Sequence, residues 1–196
     1  MKTGALLTAA GLSSRMGRFK PMLPLGRDTI LRRGVKTLLS AGCDPVVVVV
    51  GHRAAELEAH LSDLPVDCIY NPEYASSDMF ASVKLGLRRL DGRCERLLFT
   101  PADVCLYGEE TVRALMRSGE RLCCPCHGGR RGHPVLIDCA LIPRILAYGG
   151  ESGLAGALES LGRVCELEVE EPEILLDADT PEQYQALLER ERAGRP

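Results

Sequence analysis

Four segments of the sequence carry residue types that could handle phosphates or a metal ion, and the first directly follows a short apolar run. Residues 9–20, AAGLSSRMGRFK, combine glycines with cations, of which Arg15 and Lys20 flank Gly17. Glycines let backbone N–H groups approach anionic oxygens, and a guanidinium and an ammonium suit the charge of a nucleoside triphosphate. The spacing matches neither GxxxxGK[ST] nor GxGxxG. We interpret the segment as a phosphate-binding loop, with a plain glycine and serine turn bearing solvated cations as the alternative.

The second segment ends a predicted strand with a carboxylate, Asp103, in the sequence TPAD. Ligands of an open parallel sheet bind at the carboxyl ends of its strands. Mg²⁺ keeps several waters and takes only one or two protein carboxylates, so Asp103 could hold an ion that bridges nucleotide phosphates. The alternative is that Asp103 only caps a turn or a helix.

The third segment, residues 177–183, reads DADTPEQ. Thr180 and Gln183 have the spacing of a capping box and predict the start of a helix. The two aspartates precede this start and follow a predicted short strand at Ile174–Leu176. One of them could complete the metal site begun by Asp103, or both could belong to the helix start alone.

The fourth segment, residues 128–134, reads GGRRGHP and lies between two predicted strands. Three glycines and two arginines could form a flexible lip that binds anions or a hairpin turn with exposed arginines, and the hairpin is favoured. His133 precedes a proline, which holds its backbone in an extended conformation.

Short apolar runs alternate with amphipathic helical patterns, which is typical of βαβ units around a mostly parallel sheet. The run Val46–Val50 contains no polar residue and predicts a strand buried on both faces. The predicted strands are Thr3–Thr8, Pro45–Val50, Asp67–Tyr70, Arg96–Thr100, Leu122–Cys126, Pro134–Ile137 and an edge strand at Val164–Val169. The predicted helices are Thr29–Ala41, Ala54–Leu61, Met79–Leu90, Glu109–Ser118, Ala140–Ala147, Leu154–Leu161 and Thr180–Arg192.

Composition and charge exclude several classes of function. The chain has 196 residues, 45% hydrophobic and 26% charged, so it can bury a large core, and we treat residues 1–196 as one domain. A net charge of −3, an aromatic content of 4% and the lack of tryptophan argue against nucleic acid as a partner. No apolar run approaches the roughly 18 residues of a spanning helix, so we expect no contact with a membrane and a cytoplasmic protein.

Nine cysteines lie between Cys43 and Cys165, an odd number without the spacing of a small disulfide-rich domain. We predict reduced thiols that are mostly buried. Cys123, Cys124 and Cys126 include a CxxC spacing, but no second pair accompanies it. Because a strand directs neighbouring side chains to opposite faces, we expect this cluster to hold no metal ion.

The opening AAGLSSRMGRFK, with RRGHPVLI at residues 130–137 and LLDADTPEQY at residues 175–184, resembles the MobA-like nucleotidyltransferase superfamily and, within it, the molybdenum cofactor cytidylyltransferases. The resemblance implies a Rossmann-like three-layer α/β/α sandwich with a mostly parallel sheet. It also implies a Mg²⁺-dependent enzyme that transfers a nucleoside monophosphate to the terminal phosphate of molybdopterin and releases pyrophosphate. A molybdenum hydroxylase or its maturation factor would then be a further partner.

The same resemblance assigns roles to residues of all four segments and to two residues between them. Arg15, Lys20 and Asp103 are assigned to catalysis. The residues assigned to nucleotide binding are Ala9, Ala10, Gly11, Arg15, Lys20, Asn71, Ser82 and Asp103. Asp103 and Asp179 are assigned to Mg²⁺, and Arg131, Gly132 and His133 to the acceptor.

The Ala9-Ala10-Gly11 opening is similar to that of cytidylyl-transferring members, whereas guanylyl-transferring members tend to have two glycines there, so CTP is favoured. This chain departs from the family pattern at two places expected beside the cleft. Cys105 stands where a proline is common, and residues 77–81, SDMFA, replace a glycine-rich stretch. The alternatives are the use of GTP, another phosphorylated acceptor such as a sugar phosphate, and a non-catalytic carrier of the molybdenum cofactor.

Overall fold

An eight-stranded sheet forms the middle layer of the computed structural model, which describes residues 1–14 and 16–193. The strands are β1 (Thr3–Ala9), β2 (Pro24–Leu25), β3 (Asp28–Thr29), β4 (Val46–Val50), β5 (Val66–Tyr70), β6 (Arg96–Pro101), β7 (Leu122–His127), β8 (Arg130–Arg131), β9 (Val135–Asp138) and β10 (Cys165–Glu168). The order in the sheet is β10-β7-β9-β6-β1-β4-β5, with β8 beside β7, and β2 and β3 form a separate hairpin. Along this order β9 is antiparallel to its neighbours and the other pairs are parallel.

Helices cover both faces of the sheet. They are α1 (Ile30–Ser40), α2 (Ala54–Leu61), α3 (Met79–Leu90), α4 (Glu109–Arg117), α5 (Ile142–Ala147), α6 (Gly153–Ser160) and α7 (Pro181–Ala193). Successive side chains of a strand point to opposite faces, so Leu7 packs with Leu31 and Leu57 on one side, and Leu6 packs with Val83 and Leu87 on the other. The three-layer architecture and the mostly parallel sheet predicted from the sequence are confirmed.

A third, smaller apolar cluster lies beside the main core and joins both ends of the described chain. Leu187 of α7 packs there with Met16, Leu23 and Leu25 of the opening region. The Tyr184 hydroxyl donates a 2.5 Å hydrogen bond to the Pro24 carbonyl. The cluster therefore holds the segment before α7 against the loop that carries Lys20.

Two predicted elements are wrong in detail. Residues 174–176 do not form a strand, because Pro172–Leu175 make a 3-10 turn in which the Ile174 carbonyl accepts a hydrogen bond from the His133 amide. The helix expected from Ala140 begins with a 3-10 turn at Cys139–Leu141, which the Asp138 carboxylate caps, and continues as α5. The other predicted strands and helices are present, with ends shifted by at most two residues.

Cysteine burial follows the prediction, but one cysteine lies elsewhere than expected. All nine thiols are free, and six are buried. Cys123 and Cys124 belong to the cores on opposite faces of the sheet. Cys105 is fully buried in the third cluster and does not face the cleft, because the chain after Asp103 turns inward. No helix within the described ranges is long and apolar enough to span a membrane.

Candidate active site

A cleft of about 650 Å³ opens where β1 and β6 end, between the opening loop, the start of α3, the β7–β8 hairpin and the segment before α7. The predicted site residues that line it are Ala9, Ala10, Gly11, Lys20, Ser82, Asp103, Arg131, Gly132, His133 and Asp179. Arg15 lies outside the described residues. The two halves of the sequence thus contribute to one cleft, at the strand ends where the sequence predicts it.

The first turn of the opening loop lies against the end of β4. The Ala10 carbonyl accepts a 3.2 Å hydrogen bond from the His52 amide. A Cβ atom on Gly51 would lie 2.8 Å from the Ala10 oxygen and 2.5 Å from the Tyr74 Cβ atom, so only glycine fits between them. Gly11 is exposed, with nothing near its missing Cβ, and so leaves its backbone open to a ligand.

Ser13 fixes the second half of the loop, a role that the sequence does not predict. Its backbone is left-handed, with a φ of 57°, and its hydroxyl accepts a 3.1 Å hydrogen bond from the Lys20 amide. Non-glycine residues with positive φ are uncommon and cluster at functional sites. The residue type does not predict this conformation, since serine has no special preference for a positive φ.

Lys20 lies between two carboxylates from distant parts of the chain. Its ammonium is 2.7 Å from Asp103 Oδ2 and 2.6 Å from Asp179 Oδ1. The two oxygens are therefore at most about 5.3 Å apart, the sum of these distances. Burial by itself would lower the pKa of Lys20, but the charges and hydrogen bonds of the two aspartates outweigh it, and the pKa is raised. Lys20 is accordingly charged at neutral pH.

A third carboxylate stands behind this pair. Asp177 also lines the cleft, and its buried Oδ1 atom has no hydrogen-bond partner among the described residues. Burial raises the pKa of Asp177, and the negative charges of Asp179 and Asp103 raise it further. The described part of the cleft therefore gathers three carboxylates around one ammonium.

This donor set fits a hard divalent cation. Mg²⁺ prefers carboxylate oxygens and water, and one or two carboxylates suffice to hold it. Asp103 and Asp179 lie close enough to share such an ion after a small movement, and Asp177 adds a buried oxygen that has no hydrogen-bond partner among the described residues. No group of three or more His, Cys, Asp or Glu side chains arranged to bind a metal occurs in the described chain, so water would supply the remaining ligands.

Asn71 and Ser82 shape the wall of the cleft. The Asn71 amide donates hydrogen bonds to Ser82 Oγ at 3.0 Å and Ser77 Oγ at 3.4 Å, and its oxygen accepts one from the Glu73 amide. Both Asn71 and Ser82 are buried, and Asn71 is not among the cleft-lining residues of the described chain. The pair holds the loop between β5 and α3, which brings Met79 to the rim.

Residues 128–134 form the favoured hairpin and also reach the cleft. Gly128 and Gly129 make the turn between β7 and β8, both with positive φ. The Arg131 guanidinium pairs with Glu166 at 2.7 Å on the surface. A Cβ atom on Gly132 would lie 2.6 Å from the Ile174 carbonyl oxygen, so this glycine allows the hairpin to touch the segment that leads to Asp179.

His133 separates the cleft from a second cavity of about 470 Å³. Its ring packs edge-on against Phe99 at 5.8 Å between centroids. Burial lowers the pKa of His133, and the hydrogen bond to the Phe99 carbonyl and the charge of Asp103 offset this only in part. The second cavity shares Asp78, Met79, Arg131, Gly132 and His133 with the first, and its other walls are largely apolar, formed by Phe80, Phe99, Val135, Leu154, Leu158 and Val164.

The opening loop, the strand-end aspartate and the parallel sheet occur together in one known domain type. A family model described as the MobA-like NTP transferase domain matches residues 5–164. The chain belongs to this family. It is a nucleotidyltransferase of the MobA-like type, and a nucleoside triphosphate is the substrate that this implies.

Relatives of known name extend the match over the whole chain. A molybdenum cofactor cytidylyltransferase of Escherichia coli (strain K12) is 33% identical over 189 residues, which cover 94% of this chain and 95% of that protein. A nicotine blue oxidoreductase of Paenarthrobacter nicotinovorans is 29% identical over 95% of this chain and 96% of its own length. Among solved structures, a nucleotidyl transferase from Methanothermobacter thermautotroptrophicus superposes with a TM-score of 0.87 and 26% identity, covering 99% of both chains.

Proposed function

We propose that this MobA-like nucleotidyltransferase transfers CMP from CTP to the terminal phosphate of a molybdopterin-type acceptor and releases pyrophosphate. The observation that carries the proposal is the 33% identity, along nearly the full length of both chains, with the Escherichia coli molybdenum cofactor cytidylyltransferase. The arrangement of Lys20, Asp103 and Asp179 in the cleft supports nucleotidyl transfer, because an ammonium could contact the phosphates and two carboxylates could hold a metal ion beside them.

In this reaction a phosphate oxygen of the acceptor attacks the α-phosphorus of the nucleotide in line with the departing pyrophosphate. A new P–O bond forms on one side while the bond to the bridging oxygen breaks on the other. The attacking phosphate is already ionised, so the protein needs neither a nucleophile nor a dedicated base. Its contribution is positioning and the neutralisation of charge.

Asp103 and Asp179 would hold Mg²⁺, which supplies Lewis-acid polarisation of the phosphate oxygens and partial neutralisation of their charge. Lys20 donates hydrogen bonds to both aspartates and lies on a flexible four-carbon chain. The Lys20 ammonium would turn toward phosphate oxygens and stabilise the charge that develops there. Ser13 keeps the Lys20 backbone fixed while the side chain moves.

The second cavity could accommodate the flat ring system of a pterin, whose faces would pack against its apolar side chains. The residues that line it include Phe80, Phe99, Val135, Leu154, Leu158 and Val164, and such apolar side chains suit the face of a flat ring better than the hydroxyl-bearing ring of a sugar phosphate. Glu151 and Glu159 on the same wall could accept hydrogen bonds from ring N–H groups. An acceptor seated there would pass His133 with its phosphate and enter the nucleotide cleft.

The choice of CTP is supported by Ala10. Ala10 lines the cleft, and a glycine at this position would leave more room for a larger base. A pyrimidine needs less room than a purine at this position. The Escherichia coli relative, which is named a cytidylyltransferase, agrees with this choice.

The test measures pyrophosphate release from each of the four nucleoside triphosphates, with Mg²⁺, in the presence and absence of molybdopterin. We expect release from CTP alone among the four, dependent on the acceptor, and lost in Asp103→Asn but not in the control Asp28→Asn, whose carboxylate pairs with Lys36 and Arg32 outside the cleft. Release from CTP with a sugar phosphate but not with the pterin would contradict the proposed acceptor. Tight pterin binding without release from any nucleotide would instead indicate a carrier.

A cavity-filling variant tests the acceptor pocket separately. Ala155 is exposed and lines the second cavity from α6, so Ala155→Trp should raise the KM for the acceptor and leave the KM for the nucleotide unchanged. Ala147→Trp, at an exposed position of α5 that lines neither cavity, is the control. Equal effects of the two substitutions would remove the second cavity from the acceptor site.

A further inference from the structure

Two thiols meet at the edge of the sheet opposite the cleft. Cys94 precedes β6 and Cys139 follows β9, and their sulfur atoms are 3.6 Å apart. Cys94 is partly exposed, whereas Cys139 is 8% exposed. Forty-five positions separate the two cysteines in the sequence, and the antiparallel pairing of β6 and β9 brings them together.

The backbone holds this pair in place from both sides. The Cys139 amide donates a 2.9 Å hydrogen bond to the Glu95 carbonyl, which continues the pairing of Arg96 with Asp138. The turn before Cys94 is closed by a hydrogen bond from the Arg93 amide to the Leu90 carbonyl of α3. A disulfide needs sulfur atoms about 2.05 Å apart, so the present separation must shrink by roughly 1.5 Å, within reach of side-chain rotation.

The surroundings of Cys94 favour its thiolate. The hydrogen bond from Cys139 lowers the pKa of Cys94 to about 7; burial opposes this shift, and the Gly4 backbone and the positive charges of Lys2 and Arg93 add to it. The pKa of Cys139 is raised, because its proton is held in the hydrogen bond to Cys94 and because it is buried.

Two other thiols, those of Cys68 and Cys43, have raised pKa values. Burial raises the pKa of Cys68 to about 11 and that of Cys43 to about 12. At neutral pH, Cys94 is thus the more nucleophilic thiol and has a second thiol in contact with it.

We propose that Cys94 and Cys139 are a modification site at which a hydroperoxide oxidises the two thiols to an intrachain disulfide. The Cys94 thiolate attacks one peroxide oxygen, the O–O bond breaks, and Cys94 becomes a sulfenic acid as hydroxide leaves. The Cys139 sulfur then attacks the Cys94 sulfur, the S–O bond breaks, and the second oxygen leaves as water. Two thiols and one hydrogen peroxide thus give one disulfide and two waters.

The site is separate from the proposed transfer chemistry. β6 runs across the sheet from the Cys94 end to the end that carries Asp103, and β9 runs back from the His133 end to Cys139. Neither cysteine lines the cleft or the second cavity. Substitution of either cysteine should therefore leave nucleotidyl transfer by the reduced protein unchanged, and the disulfide can be tested whether or not the proposed acceptor is correct.

The experiment treats the reduced, folded full-length chain with a small excess of hydrogen peroxide, alkylates the remaining thiols, and digests it with trypsin without reduction. We expect the count of free thiols to fall from nine to seven. The linked peptides should be residues 94–96 (CER) and residues 132–144 (GHPVLIDCALIPR), a pair that mass spectrometry identifies directly.

Three variants separate the two steps. In Cys139→Ala the disulfide should not form, Cys94 should accumulate as a sulfenic acid that dimedone traps, and the pH midpoint for alkylation of Cys94 should rise above 7. In Cys94→Ser, Cys139 should stay reduced at the same dose. Cys68→Ser removes a partly exposed thiol elsewhere and should leave the disulfide between Cys94 and Cys139 unchanged. A link from Cys94 to a different cysteine, or oxidation of Cys68 as fast as Cys94, would overturn the proposal.

Discussion

Replacing Lys20 by methionine should weaken the protein and at the same time make it more responsive to Mg²⁺. The substitution keeps most of the side-chain length and removes the charge that lies 2.7 Å from Asp103 and 2.6 Å from Asp179. Two carboxylates then face each other, with Asp177 behind them and without the ammonium. Their repulsion destabilises the folded chain at neutral pH.

The size of the effect follows from the exposure of the pair. An exposed ion pair contributes less than about 1 kcal/mol, whereas removing one partner of a buried pair costs about 3–5 kcal/mol. The Lys20, Asp103 and Asp179 side chains are 17%, 21% and 25% exposed, so we expect an intermediate loss of about 2 kcal/mol. For a chain of this length that corresponds to a drop in Tm of about 4–8 °C. Nucleotidyl transfer should fall roughly 100-fold or more.

The assay is thermal unfolding across a Mg²⁺ titration, run beside pyrophosphate release. Lys20→Met should gain more in Tm from Mg²⁺ than the wild type does, because the ammonium no longer competes with the ion for the carboxylate oxygens. Lys36→Met is the matched control, since it removes a lysine 2.5 Å from Asp28, an aspartate of similar exposure that does not line the cleft. The reasoning is refuted if Mg²⁺ raises the Tm of Lys20→Met no more than that of the wild type, or raises that of the control equally.

Three further predictions concern the same cleft. Asp103→Asn and Asp179→Asn should each reduce Mg²⁺-dependent turnover strongly, and the double variant should lose less than the sum of the single losses in activation free energy; simple additivity would mean that they do not act on one ion. Gly132→Ala places a methyl group 2.6 Å from a backbone oxygen and should lower the free energy of unfolding by about 2 kcal/mol in urea titrations, whereas Gly149→Ala, which meets nothing within 4 Å, should not. Because burial lowers the pKa of His133 from 6.5, its contribution to stability is fully present above pH 6.5 and lost as the pH falls below it, so the wild type should lose more stability than His133→Gln between pH 7 and pH 5; parallel curves would contradict this.

The fold could be predicted from the sequence because buried elements show characteristic patterns of apolar residues. Val46–Val50 is apolar throughout and becomes a strand covered on both faces, as expected for the middle of a parallel sheet. A short apolar segment does not distinguish a strand from a turn. Residues 174–176 are apolar and consecutive, which fits both a strand and a turn, and only the contact with the His133 amide decides for the turn.

The candidate site could be predicted in part. The opening loop that carries Lys20 and the turn that carries Asp103 are predictable because each follows a strand, and parallel strands end at one edge of the sheet. Ser13 could not be found in this way, since its role depends on a single left-handed backbone conformation. The second cavity also escaped prediction, because α3, β9 and α6 form it together from residues between Asp78 and Val164.

The apolar cluster that docks α7 also sets the order in which a newly made chain acquires its chemistry. On the ribosome Lys20 emerges early and Asp103 midway, and the strands of the sheet, through β10, are complete before residue 170. Asp179, which contacts Lys20, comes later in the chain, and so does Leu187, which packs with Leu23 and Leu25. A nascent chain can therefore assemble its sheet while the two carboxylates that flank Lys20 are still apart, so the contact of Lys20 with both of them forms after the sheet.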